Sequence, residues 1–433
     1  MANKILNNSR YKYYKAERLM CLYLLFMIVM FTLIPIHNNL FYHPFGISEW
    51  LINYQGGFVR RGFIGEILYG LYNLHPYDVR IPIILISVIS FIGYLAFTYK
   101  ISKTHGWSAI PLLFPVACCV LPLTAYRKDF FILLTCFFVF LLLTMYIKEG
   151  KKWQIVTSIV TMSLLPIIYE PTFFIFYPVS ALILWKFLKG QTWQKIVKLF
   201  CSMSLPLICM IAVTLAHGTS ETAGKIWNSW NNLFLSYPDG HDISALGESV
   251  RFMNRSIKEV FIFHLDKNFG ILNFPSFSSI ANNIAWILTM FGVYYLVTYV
   301  PVIDSTTHTV KTNSQKEVLG SIYIFQCLMM LPMLTVLSCD HGRVLIYCIA
   351  STFCLAHLSL KYKVAEFIPL PITYINKQIL AKLNKFHWIK SPITYLIVVL
   401  IVPYVSSPTP TLTDNIIVHM IDKFCFLYQR YLV

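Results

Sequence analysis

Charge is what this chain has least of. Only 12% of its 433 residues are charged, about half the share found in soluble domains, and 57% are hydrophobic. Such a chain has too little polar surface to clothe a core in water. A soluble globular protein is excluded and a polytopic membrane protein expected. Acids are scarcer still, 19 against 35 lysines and arginines. The resulting net charge of +16 does not argue for nucleic acid. In a membrane protein, excess cations gather in cytoplasmic loops and set orientation. A long polar region between apolar halves is missing, so residues 1–433 read as a single transmembrane domain. CxxC and Cys/His spacings are missing too, which excludes a disulfide framework and a zinc site. The eleven cysteines are scattered, most of them inside apolar runs, and read as small residues of packed helices. His217, His241 and His264 are too far apart to suggest metal. The first hydrophobic run lacks a small-residue cleavage site and is long enough to span, so it is expected to be retained. No repeat and no low-complexity linker occurs.

What the chain does have is a regular alternation of apolar runs and short polar joints. Residues 1–18 carry Lys4, Arg10, Lys12, Lys15 and Arg18, which places the N-terminus in the cytoplasm. Spans are expected at about 19–36, 81–98, 107–125, 130–147, a fifth that ends at Tyr169-Glu170-Pro171, 172–188, 199–216, 284–303, 318–337, 344–360 and 392–405. Residues 64–74 are apolar at helical spacing but short, and read as an interfacial or re-entrant helix. Residues 416–433 suit either a surface helix or a twelfth span. The fold class is therefore all-α, a polytopic helical membrane protein of 11 or 12 transmembrane helices. Every lysine-rich joint then falls on one side. Residues 217–283 form one large loop on the other, expected to be partly helical and to cap the membrane domain.

That other face holds the candidate site. Asn53-Tyr54-Gln55-Gly56-Gly57-Phe58-Val59-Arg60-Arg61-Gly62 follows the first span. Gly56, Gly57 and Gly62 allow a tight backbone approach, and Arg60 and Arg61 suit a carboxylate or phosphate gripped through two parallel hydrogen bonds. Arg127-Lys128-Asp129, Tyr169-Glu170-Pro171 and Asp340-His341-Gly342-Arg343 end other spans on the same face. Arginine is disfavoured there, and a bound anion is the natural reason to keep it. Each motif has a plainer reading. Arg60 and Arg61 suit lipid headgroups, or internal pairing with Glu49 and Glu66. Asp129 suits a helix start, and Glu170 a cap ahead of Pro171. Glu170 equally suits a general base whose pKa burial has raised. Asp340, His341 and Arg343 put three ionisable groups into a joint that needs none. Together these residues are the parts of glycosyl transfer from a lipid-diphosphate donor. Arginines would take the charge developing on the diphosphate, and Glu170, Asp340 or His341 would assist the acceptor hydroxyl.

The motifs Tyr54–Gly62, Arg127-Lys128-Asp129 and Asp340–Arg343 resemble those of bacterial polysaccharide-locus membrane proteins, the Wzy-type O-antigen polymerases. Length, span number and the single large outer loop suit that family. The resemblance implies a multi-pass protein of the bacterial inner membrane that polymerises undecaprenyl-diphosphate-linked repeat units at the periplasmic face. It implies outer-loop arginines as the diphosphate ligands, which map to Arg60, Arg61, Arg127 and Arg343. Its expected partners are the polyprenyl-diphosphate-linked oligosaccharide, membrane lipid and a polysaccharide chain-length regulator. No cofactor is implied, and a divalent cation held by outer carboxylates stays open. One departure stands out: the large loop carries only Arg251 and Arg255, with acids nearby.

Other classes remain. Another membrane glycosyltransferase using a lipid-phosphate sugar donor would share these parts. A flippase for lipid-linked oligosaccharide needs charges deep in its spans and internal symmetry, and the spans are nearly free of charge. An acyltransferase needs a well-placed histidine, for which His341 is the candidate.

Overall fold

The computed structural model describes residues 44–105, 127–216, 218–230, 313–337, 341–362 and 367–386, and parts of 248–298. The expected spans at 19–36, 107–125 and 392–405, the N-terminal basic segment, the C-terminal segment, Asp340, His217 and His241 lie outside the described residues.

Every regular element among the described residues is helical. In chain order they are α1 (Pro44–Trp50), α2 (Gly62–Leu74), α3 (Arg80–His105), α4 (Asp129–Glu149), α5 (Lys152–Ile168), α6 (Thr172–Phe187) and α7 (Thr192–Leu215). Then come α8 (Ser220–Ser229), α9 (Glu248–Arg251), α10 (Ile257–Phe269), α11 (Asn313–Met329), a π turn at Met333–Leu337, α12 (His341–Tyr362) and α13 (Leu370–Leu383). Among the described residues, three stretches are long and apolar enough to cross a membrane: Arg80–Lys100, Asp129–Glu149 and Thr192–Leu215. The apolar helices α5 and α6 are shorter, 17 and 16 residues.

The bundle is built around α4. Phe130, Ile132, Leu133, Cys136, Phe137, Phe140 and Leu143 are all buried along one side of the helix, and Phe138 on the other is exposed. A helix with no polar face must be enclosed, and α4 packs against α3, α5, α6 and α12. The few hydroxyls inside hide their donors on their own helix. Thr98, Thr144, Ser351 and Thr352 each donate to the carbonyl oxygen four residues back, which removes the cost of an unmet donor in apolar surroundings.

Two boundaries differ from the sequence reading. The segment 37–63, read as loop, contains α1. The segment after 360, read as a lysine-rich joint, contains α13. The cysteines also divide. Cys136, Cys327, Cys348 and Cys354 are buried, whereas Cys201 on α7 is exposed and Cys209 half-buried. The reason is that α7 packs on one side only, with Phe200, Ile208 and Leu215 exposed on the other.

Helix order sorts the charges. Helices α4 to α7 run up and down, so the Asp129 and Glu170 ends lie together. Lys148, Lys151, Lys152, Lys186 and Lys189 lie at the opposite end, about 30 Å away along α4.

Candidate functional site

Arg61 is the centre of the Glu170 end. It precedes Gly62, the first residue of α2, with φ 65° and ψ 5°. It is the one non-glycine at positive φ among the described residues. A left-handed backbone costs an ordinary residue about 1–2 kcal/mol, so neighbours must hold it. Lys128, fully buried at the turn before α4, donates from Nζ to the Arg61 carbonyl oxygen at 3.1 Å. The same ammonium lies over the Trp50 ring, 5.8 Å from its centre.

The Arg61 guanidinium is fully engaged. Its Nε donates to Glu170 Oε2 at 2.8 Å and its Nη2 to Oε1 at 2.7 Å. Nη1 reaches Glu49 Oε1 at 3.4 Å, and the plane stands 4.7 Å above the Tyr169 ring centre. Arg60 Nη1 lies 3.9 Å from Glu170 Oε1. Burial works against the Arg61 charge, but the Glu170 and Glu49 carboxylates more than reverse this and hold the guanidinium protonated. For Glu170, burial pushes the pKa up. The Arg61 charge, its two hydrogen bonds and Arg60 outweigh burial and bring the carboxyl down to about 2. The expectation of a Glu170 raised by burial is therefore overturned in this state: sequence shows the apolar flanks of Glu170 but not the fork 109 positions away.

A second buried contact ties in α12. The Tyr347 hydroxyl donates to Asp129 Oδ1, and the Tyr347 ring stands 6.2 Å from that of Tyr169. The start of α12 thus belongs to the Glu170 end. His341, Gly342 and Arg343 form its first turn, so three residues expected in a joint are already helical. Arg127 is half-buried, one residue before Lys128.

The glycines serve packing. A Cβ on Gly56 would stand 2.5 Å from the Thr222 carbonyl oxygen of α8, and one on Gly62 would stand 2.3 Å from the Tyr54 ring. Gly57, at φ 113°, has nothing within 4 Å of such a Cβ, and it is here that the loop turns. Glu66 fastens the loop, accepting from the Tyr54 backbone N–H at 2.7 Å and from Gln55 Nε2 at 3.1 Å. Burial, then the Glu66 charge, push the Tyr54 phenol up to about 12.

The 217–283 region rests on this loop. Trp230 Nε1 donates to the Leu51 carbonyl oxygen at 2.7 Å, and Asn53 Nδ2 to Ser229 Oγ at 2.8 Å. Ile52 and Val59 share a small apolar cluster with Ile226, Val250 and Met253. The structure thus brings together Arg60, Arg61 and Glu170. Sequence reasoning named Glu49 and Lys128 without giving them a part in the site, and missed Trp50. No group of three or more His, Cys, Asp or Glu side chains gathers around a metal-sized space among the described residues. No family model, no curated protein and no solved structure matches the chain.

Proposed function

We propose that the chain is an inner-membrane protein of about 11 spans that polymerises polyprenyl-diphosphate-linked oligosaccharide repeat units at the outer face, as Wzy-type polymerases do. One observation carries the reading. Arg60 and Arg61 meet Glu49 and Glu170, with Lys128 on the Arg61 carbonyl oxygen and Asp129 on Tyr347, at helix ends opposite Lys148, Lys151, Lys152, Lys186 and Lys189 and beneath helices of the large loop.

In the resting site Glu170 fills the Arg61 fork. A diphosphate is the other anion that fits a guanidinium fork, so an arriving donor competes with Glu170 for it. When the donor wins, Glu170 loses the cation that holds it down. Burial then raises its proton affinity towards that of a useful base. The acceptor hydroxyl oxygen attacks the anomeric carbon and its proton passes to Glu170. The bond to the diphosphate breaks, and Arg60 and Arg61 receive the departing charge. Arg343 is a further diphosphate ligand that the resemblance implies, Asp340 and His341 beside it are candidates to assist the acceptor hydroxyl, and membrane lipid and a chain-length regulator are further partners.

The test is reconstitution with a lipid-diphosphate oligosaccharide. Lengthened glycan supports the reading; Arg61→Lys, which keeps the charge and loses the fork, or Arg343→Ala should abolish lengthening while the protein stays folded. Long glycan from both variants removes the reading. Movement of the intact donor across the bilayer, or its acylation, would assign the chain to the transport or acyltransferase class instead.

A further inference from the structure

Helix α13 is fixed to the bundle by one amide. Asn376 is fully buried. Its Nδ2 donates to the Glu317 carbonyl oxygen at 2.8 Å and to Ser321 Oγ at 3.1 Å, and its Oδ1 accepts from the Tyr294 hydroxyl at 2.7 Å. Gly320 makes the space, since a Cβ there would stand 2.5 Å from Asn376 Oδ1. A buried amide with its partners supplied sets rotation as well as position. Ile372 and Leu380, one turn to either side, are buried on the same face.

The opposite face is thereby turned outward. It carries Leu370, Tyr374 and Ile375 at 82%, 64% and 47% exposure. Lys377 and Lys382 are exposed between and beyond them, and Lys385 follows in the next turn. No acid occurs from 370 to 386; the described acid in reach is Glu317, 3.6 Å from Lys377. Glu317 belongs to the first turns of α11. Since α12 returns antiparallel from the Glu170 end, the start of α11 and all of α13 lie at the lysine-rich end.

We infer that α13 lies flat in the leaflet at the lysine-rich end and binds anionic phospholipid headgroups through Lys377, Lys382 and Lys385. At 14 residues it is too short to span. An interfacial helix sets apolar side chains into the acyl boundary with cations beside them reaching back to the headgroups. Leu370, Tyr374 and Ile375 enter the apolar boundary, where tyrosine is favoured. The lysine stems lie along it and lift their ammonium groups to the phosphates. The clamp at Asn376 joins this anchor to the bundle.

Two experiments on the full-length protein test the assignment. A photo-activatable phenylalanine analogue at position 374, irradiated in native membranes, should give a phospholipid adduct. A polypeptide adduct, from a second copy or another protein, would overturn the proposal. In nanodiscs, adding phosphatidylglycerol to phosphatidylcholine should raise the unfolding temperature of the natural chain. The triple variant K377Q, K382Q, K385Q should lose that rise, while in phosphatidylcholine alone it should fall below the natural chain only by the loss of the exposed Lys377–Glu317 pair. An equal rise in the triple variant, or one reproduced by inorganic phosphate in phosphatidylcholine discs, would also overturn it.

Discussion

At the scale of single residues, Arg61 joins a costly backbone to a well-satisfied side chain. Its left-handed φ is held by Lys128 from behind and by Glu170 and Glu49 in front. Removing one partner of a part-buried ion pair leaves the other charge uncompensated. Glu170→Ala should therefore destabilise the fold by about 3 kcal/mol, read from unfolding in detergent. The pH dependence has a definite sign. The Glu170 pKa is lowered from 4.5 to about 2 in the fold, so its contribution is complete above about 4.5 and lost as pH falls towards 2. That contribution is on the order of 3 kcal/mol. Between pH 5 and pH 3 the natural chain should lose stability that Glu170→Gln never had, measurable from the two unfolding midpoints. Elsewhere, Gln326 is fully buried and neither amide atom has a hydrogen-bond partner among the described residues. Gln326→Leu should raise stability by about 1 kcal/mol in the same assay. The arginines were legible from sequence because they stand against the positive-inside bias. Their acid partners were not assignable, because Glu49, Arg61 and Glu170 meet only through tertiary packing.

Among the elements, α2 separates two roles of glycine. Gly65 lets α2 touch the preceding loop: an added Cβ would stand 1.9 Å from the Ile52 carbonyl oxygen. Gly70, one turn and a half later, has nothing within 4 Å. Gly65→Ala should cost more than about 2 kcal/mol, at the level of core overpacking, whereas Gly70→Ala should stabilise by up to about 1 kcal/mol through helix propensity. Thermal unfolding of the two variants tests this contrast. The α5–α6 hairpin was readable in the sequence because Glu170-Pro171 interrupts two apolar runs. The seven-residue α1 was not, being too short to show a period. In α13, lysines masked a helical spacing carried by Ile372, Asn376 and Leu380. The fastening of α8 by Trp230 had no local signal at all. Trp230→Phe keeps most of the ring packing and loses the bond to Leu51. Glycan lengthening should fall more than stability does, if the large loop closes the proposed site.

For the whole molecule, the structure places the Arg61–Glu170 cluster, with Lys128, at the helix ends opposite Lys148, Lys151, Lys152, Lys186 and Lys189, a placement that depends on element order and not on side-chain detail. Phe58→Cys and Lys189→Cys, both at exposed positions, should react with a membrane-impermeant maleimide from opposite sides of the membrane in an otherwise cysteine-free chain. Labelling of both from one side would defeat the assigned orientation. The hairpin of α5 and α6 has a larger consequence. Seventeen and sixteen residues reach only about 24–26 Å, while the oily layer of a typical bilayer is about 30 Å thick. A membrane matched to α4 must either thin around the hairpin or leave the Glu170 turn recessed by roughly 5 Å. In both cases, under the proposed function, a polyprenyl donor would meet Arg61 without being hauled out of its leaflet. If the proposed glycosyl transfer holds, turnover should climb as lipid tails are shortened, and bilayer thickness would set its pace.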